Sequence, residues 1–153
     1  MIQVESPAWA SIEAHALEDY PDECCGLLVM DGDGASVVHA CENIQDKLHA
    51  QDPENHPRKA KTAYRMNDLQ VSKILTATEA AGGKLVAIYH SHIDCDAYFS
   101  EEDQKAAQFF GEPAYPGVTY LVISVIDQKV ENRKAFSWSA DSSQFQEVPL
   151  SVV

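Results

Sequence analysis

Residues 84–92 read KLVAIYHSH, an apolar run that ends on two histidines one position apart. The run is short and rich in Leu, Val, Ile and Tyr, so it reads as a strand buried in the protein interior. A sheet with such a strand at its centre needs cover on both faces, and helices supply that cover most simply. Side chains alternate along a strand, so His90 and His92 project from one face, roughly 6.6 Å apart by the strand rise. Ser91 points the other way.

The rest of the chain fits this plan. Ser6-Pro7 opens a helix, Ser6 as N-cap and Pro7 at the first helical position, and Trp9, Ile12, Ala16 and Leu17 recur at helical spacing until Pro21 stops it. CCGLLVM at 24–30 and ASVVHAC at 35–41, joined through DGDG, predict a β-hairpin. Residues 43–61 are polar, contain proline and lack periodicity, which predicts a long loop. A short strand is expected over 63–66, then a helix capped by Asn67 that carries Leu69, Ile74 and Leu75 and ends at Gly82-Gly83. Residues 100–110 predict a further helix with Ala106, Phe109 and Phe110 on its apolar side. Residues 118–126, VTYLVISVI, form the clearest strand; 133–140 alternate as another, and 145–148 form a last edge strand. The expected fold class is α/β: a mixed sheet between helical layers, with residues 1–153 as one domain.

The paired histidines are followed by Ser100-Glu101-Glu102-Asp103. If Ser100 caps a helix, Asp103 lies in its first turn and faces back toward the strand end. Two imidazoles and a carboxylate would then surround one cation and leave a tetrahedral position for water, the pattern of catalytic rather than structural zinc. Either motif alone has a plainer meaning, HxH as a polar strand edge and Ser-x-x-Asp as a helix cap. Together, at this spacing, they are far more specific. Water activation also needs a base, and no HExxH is present to supply one. Glu23, at the mouth of the CCGLLVM strand, is a candidate, but composition does not choose it over Glu18, Glu42 or Glu79.

The formal net charge of −13 argues against nucleic acid or an anionic membrane as the main partner, because both require a cationic surface. Five of the eleven basic residues fall at Lys47, Arg58, Lys59, Lys61 and Arg65, which reads as a solvated loop or a local docking surface. No apolar run reaches the roughly 18 residues of a membrane span, and the N-terminal segment resembles no signal peptide, so a cytoplasmic address is expected. The four cysteines, Cys24, Cys25, Cys41 and Cys95, include no CxxC and are expected to be reduced, with Cys24 or Cys25 buried.

Glu23-Cys24-Cys25-Gly26-Leu27-Leu28, then His90-Ser91-His92, seven residues, Ser100, two residues and Asp103, resembles the signature of the JAMM (MPN-plus) metalloproteases. The similarity of element order extends over about residues 5–140. It implies a three-layer α/β/α sandwich of the cytidine-deaminase type and one Zn2+ per chain held by His90, His92 and Asp103. It further implies Glu23 as general base and Ser100 as hydrogen-bond donor to the oxyanion. Small stand-alone members act at the C-terminal Gly-Gly of ubiquitin-like or sulfur-carrier proteins, which makes such a carrier the expected partner. A catalytically silent interaction scaffold and a zinc amidohydrolase acting on a small amide are the alternatives. Two positions depart from the usual pattern: Ile93 stands where proline is common, and Cys95 lies inside the seven-residue spacer, within reach of a role as extra ligand or oxidation-sensitive group.

Overall fold

The computed structural model describes residues 1–153. In chain order the elements are β1 (Ile2–Val4), α1 (Ser6–Asp19), β2 (Cys25–Met30), β3 (Ser36–Cys41), α2 (Gln45–Gln51), α3 (Asp68–Ala80) and β4 (Lys84–Ile93). They continue with α4 (Glu101–Ala106), β5 (Gln108–Phe109), β6 (Glu112–Pro113), β7 (Thr119–Ile126), β8 (Lys129–Ser139), β9 (Gln144–Val148) and β10 (Leu150–Val152). Six strands form one sheet in the order β3-β2-β4-β7-β8-β9. Only β4 and β7 run parallel, and the other neighbours are antiparallel, so the sheet is mixed as expected.

Each face of the sheet has its own core. On one side Trp9, Ile12 and Ala16 of α1 pack on Cys24, Leu28, Tyr89, Leu121 and Ile123. On the other, Val71 of α3 packs with Cys25, Leu27, Ile88, Tyr120 and Val122. The two sets alternate along β2, β4 and β7, as the period of two requires. Both Cys24 and Cys25 are fully buried, one on each face, and all four cysteines are free. Burial pushes the Cys24 thiol up to about 12, so it remains a protonated, unreactive core residue.

Several expectations about local structure are corrected. Ser6 is the first helical residue rather than the cap; its N–H and Oγ–H both donate to the Val153 carbonyl at 2.7 Å. That bond exists because β1 and β10 pair in parallel, a contact between distant segments that no local pattern signals. The segment expected to be a loop over 43–61 contains α2, whose first N–H groups include Gln45, satisfied by the Asn43 side chain. The strand expected over 63–66 is reduced to one bridge, Asn43 to Met66. The helix expected to reach residue 110 stops at Ala106. Phe110 and Gly111 both have positive φ, 52° and 77°, and form the two-residue turn of the β5–β6 hairpin. This leaves Phe109 and Phe110 exposed rather than packed.

Gly26 explains why the CCGLL run carries a glycine. It lies opposite Tyr89 in the β2–β4 register, and a Cβ there would sit 2.3–2.5 Å from the phenol ring. The ring crosses the vacant position and places its hydroxyl 2.7 Å from His15 Nδ1 on α1. Gly26→Ala is therefore expected to destabilise the fold by at least the roughly 1–3 kcal/mol typical of overpacking. Urea unfolding of the variant checks this, and an unchanged midpoint would contradict the packing described.

Candidate metal centre

β4 and α4 bring the predicted ligands together. His90 and His92 project from the β4 face that carries α3, and Ser100 caps α4 so that Asp103 points back at them. The cap is reciprocal: Ser100 Oγ accepts from the Asp103 N–H at 3.0 Å, and Asp103 Oδ2 accepts from the Ser100 N–H at 3.0 Å. The Ser100 hydroxyl proton is left uncommitted. Asp103 Oδ2 lies 3.2 Å from Nε2 of both His90 and His92. The ligand atoms of the three side chains all fall within 4.8 Å of one another.

The chemistry of these donors calls for a cation. His92 Nδ1 lies 2.9 Å from the Asp96 carbonyl, which only accepts, so Nδ1 carries the proton. In the neutral ring Nε2 is then a lone pair facing a carboxylate oxygen. Two acceptors at that separation repel unless a positive charge lies between them. His90 is fully buried, and neither of its ring nitrogens makes a hydrogen bond, although Nε2 is close to Asp103. Tetrahedral zinc with bonds of about 2.0–2.1 Å holds its ligand atoms roughly 3.3 Å apart, and both carboxylate–imidazole separations match. The residues present therefore fit a zinc ion.

Burial alone would raise the Asp103 carboxyl, but the two adjoining imidazoles, His90 foremost, and the Ser100 N–H hold it well below the usual carboxylate range.

Glu23 enters from the neighbouring strand. β2 pairs antiparallel with β4 through Cys25 opposite His90, and the Ser91 N–H still donates to the Cys24 carbonyl at 3.1 Å. Extending that register by two residues sets Glu23 across from His92, on the same face as the ligands. Glu23 is 5% exposed. Burial pushes its carboxyl up to about 9, the Asp103 charge adds to the shift, and Arg58 opposes it. Glu18, Glu42 and Glu79 lack this position: Glu18 lies on α1, Glu79 near the end of α3, and Glu42 pairs with Lys47 at 2.6 Å. Cys95 is not among the converging side chains. Ile93 simply extends β4, paired with Val125.

The family of prokaryotic homologs of the JAB domain matches residues 5–141. The chain belongs to this family. It is 30% identical to a desampylase of Haloferax volcanii over 157 aligned residues, covering 99% of this chain and 96% of that protein. It is 32% identical to the CysO-cysteine peptidase of Mycobacterium tuberculosis, over 74% of this chain and 66% of that protein. A solved protein of Desulfitobacterium hafniense superposes with a TM-score of 0.73 at 23% identity, covering 100% of this chain and 93% of that one. A JAB1/MPN domain protein of Archaeoglobus fulgidus superposes at 0.55 with 16% identity, covering 99% of each chain. These two likenesses carry the fold, which is the α/β architecture of JAB domains.

Two elements of this JAB domain's site carry no sequence signal of their own. Tyr64 stacks on His90 with ring centres 4.4 Å apart and planes 24° apart. It also lines two hollows. One, of about 200 Å³, runs from Arg58 and Thr62 to Glu102 and Asp103. The other, of about 760 Å³, runs over Ile88, Ala106 and Phe109 to Tyr115 and Tyr120. The segment expected to be a solvated loop or a local docking surface supplies, through Arg58, Thr62 and Tyr64, one wall of the approach to Asp103.

The Glu23 carboxyl makes folding stability depend on pH when no metal is bound. Its pKa is raised from 4.5 to about 9 in the folded protein, so the folded state keeps a proton that the unfolded state has lost. Stability should fall as pH rises from about 4.5 toward about 9, with a slope of at most about 1.4 kcal/mol per pH unit. In chelator, wild type should lose stability relative to Glu23→Gln across this window, and added zinc should flatten the difference. Parallel pH profiles for the two proteins would refute the burial of an ionisable Glu23.

Proposed function

We propose that this JAB domain, taken as one unit over residues 1–153, is a zinc-dependent peptidase or isopeptidase. Its substrate is the bond that follows the C-terminal Gly-Gly of a ubiquitin-like or sulfur-carrier protein. The observation that carries the reading is the convergence of His90, His92 and Asp103 beside a buried, unpaired carboxylic acid, Glu23. The names of the relatives, a desampylase and a CysO-cysteine peptidase, support hydrolysis at such a bond. A silent scaffold would have no use for a buried cluster of acceptors, which costs folding energy without a ligand.

One zinc per chain would supply Lewis acidity and bring the pKa of a water to about 7. His90, His92 and Asp103 would hold it, with the His92 ring fixed by its bond to the Asp96 carbonyl. Glu23 takes a proton from the attacking water and passes it to the departing amine, so water adds across the amide and leaves a carboxylate and a free amine. A divalent charge beside it offsets the burial that raises its pKa. Ser100, whose Oγ is oriented by the Asp103 N–H, donates its free hydroxyl proton to the oxygen that gains charge.

A glycine tail suits an approach bounded by Tyr64 and α4, because it brings no side chain to the metal. The body of the carrier needs a second hold. Lys47, Arg65, Lys105, Arg133 and Lys134 are ion-paired. Arg58, Lys59 and Lys61 make no ion pair; Arg58 lines the approach, and the exposed Lys59 and Lys61 follow it in the same segment, a local cationic rim on an acidic protein. No helix is long and apolar enough to cross a membrane, and a cytoplasmic site of action is part of the same proposal.

Turnover of a carrier extended past Gly-Gly, read by intact mass beside a short peptide of the same sequence, tests these roles. Glu23→Gln should lower turnover of both by about 10²–10⁴-fold while zinc stays bound. Lys59→Glu with Lys61→Glu should raise KM for the carrier alone, and added salt should do the same. Arg58 is left intact because its charge reaches Glu23. Near-normal turnover in Glu23→Gln would assign the base elsewhere, and an unchanged KM for the carrier would return the lysines to solvent.

A further inference from the structure

β2 begins at Cys25, so the sheet ladder does not itself hold Glu23. Other bonds do. The Glu23 N–H donates to the Ala60 carbonyl at 2.8 Å, and the Glu23 carbonyl accepts from Asn43 Nδ2 at 2.9 Å. Asn43 spends all the rest of its carboxamide on main chain. Nδ2 also donates to the Ala63 carbonyl at 3.1 Å, and Oδ1 accepts from the N–H groups of Gln45 at 3.0 Å and Arg65 at 3.1 Å. Its neighbours repeat the attachment: Gln45 Nε2 donates to the Arg58 carbonyl at 2.9 Å, and Asp46 Oδ1 accepts from the Ala60 N–H at 2.7 Å.

The residues on either side of Tyr64 are thus both tied to Asn43, and Tyr64 is the residue stacked on His90. One side chain links the main chain of the proposed base to the segment packed on a proposed ligand. We propose that Asn43 is a positioning residue of the hydrolytic site, setting Glu23 and Tyr64 in one frame against the His90–His92–Asp103 cluster. This rests on the reading of Glu23 as base. Only a carboxamide has the required pattern, and Gln would carry it one methylene further out. Asp at this position keeps both acceptor bonds but turns its second oxygen, an acceptor where a donor is needed, toward the Glu23 and Ala63 carbonyls, and Ala removes all four bonds.

The test combines Asn43→Ala and Asn43→Asp with wild type and with Glu23→Gln, using the zinc-loaded protein and a Gly-Gly carrier substrate. In the wild-type background each should lower kcat by about 10–100-fold, as a small misplacement of a reacting group does, with KM little changed. In the Glu23→Gln background the same changes should add little, because the group they position has already been removed. A merely structural role would lower kcat equally in both backgrounds and overturn the proposal. Asn43→Asp keeps the proposal testable if Asn43→Ala does not fold. Amide hydrogen exchange supplies a readout independent of activity: Asn43→Asp should speed exchange at Glu23 and across 60–65 while β4 and β7 stay protected. Unchanged exchange at Glu23 would overturn the frame. Absence of turnover in wild type, with the exchange result as expected, would instead place the error in the reading of the activity.

Discussion

A slip of β4 by one residue against β2 would turn His90 and His92 toward α1 and bury Ser91 in their place. The site therefore depends on one register. Two contacts pin it from the α1 side: Tyr89 lies across the bare backbone of Gly26, and Ser91 Oγ accepts from the Cys24 N–H at 2.8 Å. Neither touches the metal centre. Between them they fix which face the histidines take and, through the antiparallel pairing, where Glu23 arrives. The serine of HSH and the glycine of CCGLL are in this sense as necessary to the site as the ligands on the opposite face.

The electrostatics on that opposite face are unfavourable without a cation. An ionised carboxylate, an imidazole lone pair and a second imidazole with no hydrogen bond share a space from which water is largely excluded. A folded domain retains such an arrangement only if binding offsets its desolvation. The remaining buried acid, Glu23, is held protonated by burial until positive charge is supplied. Proposed metal and proposed base would thereby be linked: an ion that satisfied His90, His92 and Asp103 would also favour the ionised form of Glu23.

The central strands and four of the five proposed site positions, His90, His92, Ser100 and Asp103, were legible in the sequence because they rest on local rules. Period-two alternation faces His90 and His92 together, and the Ser100-x-x-Asp103 cap turns the carboxylate back toward them. Glu23 was legible only through resemblance, since its place comes from strand pairing across more than 60 residues of chain, Cys25 to His90. What stayed hidden was set by long-range contacts. The β1–β10 pairing displaced Ser6 from its cap, and a left-handed turn at Phe110 cut α4 short against the helical appearance of its sequence. Asn43 and Tyr64 stood in a polar stretch with no periodicity, and their partners are main-chain groups that no side-chain pattern reveals.

Zinc titration of the chelator-treated protein tests the account at its base. Wild type should bind about one zinc per chain, and binding should weaken strongly in His90→Ala or Asp103→Ala while the fold is kept. The decisive comparison is the His90→Ala/His92→Ala double variant. Loss of tight binding there is the result expected from the geometry of β4 and α4; full-strength binding with both imidazoles removed would contradict it.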